Sequence, residues 1–290
     1  MTSKDAARFI NTLDRLAPLS DQPATADFAI LDLAVDDDLL RRIYAGMANE
    51  AISWRSLFEN TDWFEHWDHG PILVDLRQCP TFCAELTDQL SRSPMGLLLK
   101  TNWDMDRLHG HITQSIHNGL SSDGQLMRVH EPRMFGPLLC IMDDVQYRML
   151  TAAGSHWFWH DTHTWRSTTS DQPQSPEEVS DIPRLPAAKL EETKPYWLAA
   201  EAYGYSAHYK DALSTHAEPT HWVLERLFEG SALGFQLSSH LERWLRLSIR
   251  YGADFHRRAP HDAILSDQHK TLGDRLSALE SASENQHVPV

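Results

Sequence analysis

The stretch Gly70-Pro71-Ile72-Leu73-Val74-Asp75-Leu76 decides the fold class. It is a short apolar run bounded by turn residues, the pattern of a buried β-strand. The same pattern recurs on either side. Upstream, Phe28-Ala29-Ile30-Leu31-Asp32-Leu33 reads as a strand, and Asp36 to Ala48 as a helix with Asp36–Asp38 at its positive end. Downstream, Pro80 opens a helix running to about Leu90, a position where proline is tolerated. Met95 to Lys100 is a third strand, apolar throughout and so expected to be covered on both faces. Asp104 to His117 is a helix with Met105, Leu108, Ile112 and Ile116 at helical spacing. Asp123-Gly124 is a turn, Gln125–His130 a fourth strand, and His156–His160 a fifth. Between the last two, Pro132 to Leu150 is helical, with a break expected near Gly136-Pro137. Alternation of this kind implies a sheet covered by helices.

From Arg166 to Pro195 the pattern stops. This segment holds Pro173, Pro176, Pro183, Pro186 and Pro195 and few large apolar residues. Proline removes a backbone donor and biases its neighbour away from helix, so the segment reads as a linker or surface excursion. Beyond it the chain is helical. Pro219–Glu229 ends at Gly230, Ser238–His256 carries Leu241, Trp244, Leu245 and Phe255 on one stripe, and a tail helix carries Leu272, Leu276 and Leu279. The expected organisation is an α/β lobe of about five strands over residues 1–165, a Pro-rich segment over 166–195, and a helical lobe over 196–290.

The composition is that of a folded globular protein: 41% hydrophobic and 23% charged, with ten Trp. The formal net charge is −15. A charge of that sign argues against nucleic acid and anionic membrane as partners, because both are bound by clustered Lys and Arg. Cys79, Cys83 and Cys140 make an odd set, read as thiols in a reducing compartment. The first residues contain no apolar signal core, and no apolar run approaches the ~20 residues of a membrane span. A cytoplasmic protein is expected.

Three features could carry chemistry. The first is Ser155-His156-Trp157-Phe158-Trp159-His160-Asp161-Thr162-His163. Its histidines and acid suggest a metal-dependent hydrolase using His156, His160, Asp161 and His163. Strand alternation opposes this, since Asp161 points away from the face that His156 and His160 share. The plainer reading is an aromatic strand near a sheet edge with half-exposed histidines. His109, His111 and His117 lie at steps of two and six on a helix, not on one face, and are expected at the surface. Phosphate-binding glycine loops and a nucleophile elbow are lacking, so no catalytic residue, metal or cofactor is assigned.

The second feature is Asp75, a carboxylate inside an apolar strand. It needs a cation or several hydrogen bonds, and Arg128 or Arg133 is the expected partner, the pair fixing strand order. The third is Asn60-Thr61-Asp62-Trp63-Phe64-Glu65-His66-Trp67-Asp68-His69-Gly70, aromatics interleaved with acids. It suits a protein-binding loop, because Trp is enriched at interface hot spots. Covering the core is the competing use of these rings.

The ordered series of these elements resembles a known family. Gly70-Pro71-Ile72-Leu73-Val74-Asp75-Leu76 is similar to the "GP-x-LVDL" strand of the type VI secretion adaptor domain, and Gly96-Leu97-Leu98-Leu99-Lys100-Thr101 and Leu108-His109-Gly110-His111 follow in the same order. The likeness is sharpest at Asp123-Gly124-Gln125-Leu126-Met127-Arg128-Val129-His130-Glu131-Pro132-Arg133. Met127 and His130 stand where aromatics are frequent in the family, and Glu131 where Asp is usual. The resemblance covers about Phe28 to Asp161, and returns more weakly at Tyr251–Phe255, Ala259-Pro260 and Ala263-Ile264-Leu265. It implies a cytoplasmic adaptor or chaperone without cofactor or catalytic activity. Such a protein binds one cognate secreted toxin effector and helps load it on the spike protein of the secretion apparatus. Trp63, Trp67, Trp157 and Trp159 are the expected partner contacts.

Overall fold

The computed structural model describes residues 3–117, 126–170 and 185–285. Of these, Thr12–Trp197 form one compact unit, and the stretches up to Asn11 and from Leu198 form a second. The expected linker therefore divides differently. Its first residues belong to a strand, its last begin helices of the first unit, and its middle, 171–184, lies outside the described residues.

The first unit is built on a sheet of seven strands: β1 (Ala17–Pro18), β2 (Phe28–Asp32), β3 (Ser53–Ser56), β4 (Pro71–Asp75), β5 (Gly96–Lys100), β6 (His156–His160) and β7 (Trp165–Thr169). Their order is β1-β7-β6-β5-β2-β4-β3, every neighbouring pair antiparallel. The helices are α1 (Ser3–Leu13), α2 (Leu39–Gly46), α3 (Pro80–Arg92), α4 (Met105–Ile116), α5 (Pro132–Ile141), α6 (Asp144–Thr151), α7 (Ala187–Leu190) and α8 (Lys194–His208), the first and last crossing between units. Strand–helix alternation coexists with an antiparallel sheet because of β2. It lies between β4 and β5 and opposes both, so these two run parallel without touching, and α3 connects them past β2.

Strand β2 is fully buried from Phe28 to Leu31, as a strand covered on both faces must be. Ala29 and Leu31 join Ile72, Val74, Leu98 and the α3 residues Phe82, Leu86 and Leu90 in one core. The opposite face carries Trp157 and Trp159, against which Phe135 of α5 packs with ring centroids 5.3 and 5.0 Å away. Gly96 is required by close approach: a Cβ there would meet the Ile30 carbonyl oxygen at 2.1 Å.

Several expectations need correction. Residues 126–130 form no strand. The Met127 amide donates to Ile116 O at the end of α4 (2.7 Å) and the Val129 amide to Met127 O (2.8 Å), so these backbone groups are unavailable to a sheet. Asp123-Gly124 lies outside the described residues. The 132–150 helix breaks at Asp143, not at Gly136-Pro137. There Asp143 Oδ1 accepts from the Val145 and Gln146 amides (2.9 and 2.8 Å), and Gln146 Oε1 accepts from the Asp143 amide (3.1 Å). That reciprocal cap starts a new helix. Strand β6 is interior, not near an edge. His109, His111 and His117 are buried. His109 Nε2 bonds Ser56 O (2.7 Å) and His111 Nε2 bonds Leu150 O (3.1 Å), because α4 is covered on more than one side.

The second unit is helical, as expected. It contains α9 (Pro219–Ala232), α10 (Ser238–Tyr251), α11 (His261–Ser266) and α12 (Leu272–Asn285). Gly230 lies inside α9, its place fixed by the ring of Trp244. Helix α10 ends at Gly252, whose φ of +90° suits glycine. Trp244 is wholly buried, and Phe235 and Phe255 lie beside it at 5.7 and 5.0 Å.

Candidate binding cleft

A cleft of about 920 Å³ opens in the first unit where β2 ends and β4 and β5 begin. Asp32, Pro71 and Met95 come from these strand ends. The Leu33 amide bonds Gly70 O and the Asp32 amide bonds Met95 O, which holds the three segments together. The walls are Ala34 and Val35 of a 3-10 turn (Leu33–Val35), Phe58 and Trp63, residues 126–128 and 130–134, and Leu190, Glu191 and Thr193. Val35 and Trp63 are 52% and 37% exposed, large apolar side chains left in water at the rim.

Two ionisable groups lie deeper. Asp32 Oδ1 accepts from the Ala34 amide (3.0 Å), while its Oδ2 stands 3.6 Å from His130 Nε2, beyond hydrogen-bond distance. Burial raises the Asp32 pKa against the Ala34 hydrogen bond and the Arg128 charge. Burial also lowers the His130 pKa to about 4, against the charge of Glu131. At neutral pH the His130 imidazole is therefore neutral. Neither residue was selected from the sequence. The signal present was Asp32 closing an apolar strand, the same pattern that drew attention to Asp75.

The tryptophan candidates separate. Trp63 reaches the cleft, its ring 6.1 Å from Phe58. Trp67 is half-buried and stacks on Trp54 of β3 at 5.9 Å. Trp157 and Trp159 are 1% and 0% exposed, so as partner contacts they are corrected to core. Strand alternation turns both to the face that α5 covers, and Trp157 Nε1 donates to Thr151 O (3.1 Å). Phe64, 54% exposed, is the unselected aromatic of that loop.

The expected ion pair is also corrected. Asp75 Oδ1 accepts from the Arg77 amide and Nε, both at 3.0 Å, and Arg77 Nη2 bonds Oδ2. Burial pushes the Asp75 pKa up, but these bonds and the Arg77 charge outweigh it and the net shift is downward. Arg128 bonds Glu131 instead (3.0 Å), and Arg133 stands exposed at the cleft. A strand-end carboxylate two residues from an arginine finds its partner locally.

The histidine segment does not assemble. His156 is exposed and stacks on Phe158, whereas His160 packs edge-on against Trp165 at 5.5 Å. Asp161 pairs with Arg166 and accepts from the His163 and Thr164 amides (3.0 and 2.9 Å). Among the described residues no group of three His, Cys, Asp or Glu is placed to hold a metal ion. Cys79 and Cys83 are buried, Cys140 is half-buried, and none is in a disulfide. Among the described residues no helix is long and apolar enough to cross a membrane.

Residues 28–149 match the model of a family described as a domain of unknown function, DUF4123. No curated protein and no solved structure matches the chain.

Proposed function

We propose that the chain is a cytoplasmic adaptor of type VI secretion, which binds one cognate toxin effector and helps load it on the spike protein. It acts by binding alone, with no cofactor and no catalytic step. The observation that carries this reading is the cleft at the strand ends, with Val35 and Trp63 left exposed at its rim. Large apolar side chains on a concave surface are what a protein-binding site requires. The matched segment 28–149 includes strands β2, β4 and β5, which supply the floor of that cleft, and the residues quoted for the resemblance fall largely within it. The test is recovery of a tagged chain from its native bacterium, with mass spectrometry of what co-purifies. A spike protein together with one large toxin-like protein is the expected result. Recovery of neither overturns the proposal.

A further inference from the structure

The cleft has a charge pattern that points to the chemistry of its occupant. Asp32 is 18% exposed in its side chain, and among the described residues no Lys or Arg lies within ion-pair distance of it. Arg128, whose charge acts on it, is held by Glu131. His130 is 8% exposed and lines the same cleft, and its Nδ1 has no hydrogen-bond partner among the described residues. Its other ring nitrogen stands 3.6 Å from Asp32 Oδ2, too far for a direct bond. The carboxylate is half-buried, its Oδ1 taken by the Ala34 amide while its Oδ2 faces the ring without a hydrogen bond, an incomplete arrangement for a charge partly withdrawn from water. The groups around the pair do not complete it. Arg128 and Glu131 neutralise each other, and Arg133 and Glu191 at the rim are exposed and of opposite sign.

We propose that the Asp32–His130 couple receives a lysine or arginine side chain from a partner protein, in a segment whose neighbouring large apolar residue packs on Val35, Phe58 and Trp63. An ammonium or guanidinium donates to Asp32 Oδ2, and its charge completes the pair. The apolar neighbour covers the rim and excludes water, which strengthens the ion pair beneath it. The partner surface is basic where this chain is acidic, in keeping with the net charge of −15. The inference deepens the adaptor reading and takes from it only that the occupant is a protein segment.

The experiment selects random peptides displayed on phage against the full chain and against Asp32→Asn. Asparagine retains an oxygen for the Ala34 amide and removes the charge. Peptides enriched on the wild type are expected to carry Lys or Arg beside a large apolar residue. They should change the fluorescence of the wild type but not of Trp63→Phe, and bind Asp32→Asn at least about tenfold more weakly. Replacing the basic residue of the best peptide by norleucine should cost the same, and this comparison stands even if Asp32→Asn does not fold. Peptides without a basic residue, equal binding to Asp32→Asn or by the norleucine peptide, or no enrichment each overturn the proposal. The readout is separate from the pull-down: a chain that captures no spike protein but selects basic peptides loses the adaptor reading and keeps this one.

Discussion

Asp161 and Arg166 form an ion pair in which both side chains are 6% exposed, across the turn from β6 to β7. Arg166 Nη1 also donates to Leu16 O (3.2 Å), tying the segment before β1 to the sheet. Removing one member of a buried pair leaves the other charge without compensation, which costs about 3–5 kcal/mol. Arg166→Met is expected to lose that much in urea unfolding. The double variant Arg166→Met with Asp161→Asn, which removes the charge and keeps an oxygen for the His163 and Thr164 amides, should recover most of it. An unaltered midpoint in the single variant would contradict the pairing.

Two glycines predict opposite outcomes for one substitution. A Cβ at Gly96 would enter the space of the Ile30 carbonyl, so Gly96→Ala must part β2 from β5 and should cost at least about 3 kcal/mol. Gly110 is exposed within α4 and a Cβ there meets nothing within 4 Å. Gly110→Ala should therefore stabilise by roughly 0.5–1 kcal/mol through helix propensity. Thermal melts of both variants check the pair.

Acid should weaken the fold before carboxylates titrate. Burial lowers the pKa values of His111 and His130 to about 4, whereas an unfolded histidine titrates near 6.5. Between those values the unfolded chain binds protons that the folded chain refuses. Their contribution is thus complete above the unfolded value and lost as pH falls toward the folded one. On going from pH 7 to pH 5, each should remove about 2 kcal/mol. In His111→Gln the urea midpoint should fall less steeply over that range. The same slope in variant and wild type would contradict the assignment.

Exposure separates the tryptophans. Trp63→Ala should leave stability within about 0.5 kcal/mol, as exposed sites do, while lowering recovery of the partner. Trp157→Ala should cost about 3–5 kcal/mol, because Phe135 loses its stacked neighbour. Equal destabilisation of the two would place Trp63 in the core.

Strands β2, β4 and β5 were legible in the sequence because strands buried on both faces must be apolar throughout. Strand β3, Ser-Trp-Arg-Ser, and β7, Trp-Arg-Ser-Thr-Thr, were not. Apart from Trp54 and Trp165 their side chains are polar, and pairing with β4 and β6 makes them strands. Residues 126–130 failed the other way: Met127 and Val129 alternate into the core as strand residues do, but their backbone bonds go to α4 and to their own turn. Of the cleft, Trp63 was legible as an aromatic among acids. Asp32 and His130 were not, because only the fold brings together a strand end and a turn so distant in the chain.

The bond from His109 to Ser56 O has a consequence for association. The Leu57 amide bonds Pro71 O on the β4 side, so the Ser56 carbonyl points outward, away from the sheet. An open strand edge is a template for stacking one molecule on the next. Here the outermost strand offers its last carbonyl to a histidine of its own chain, and Arg55 beside it is held by Glu59 and Asp106. That carbonyl is thereby withheld from a neighbouring molecule, which shortens the edge of β3 open to strand pairing.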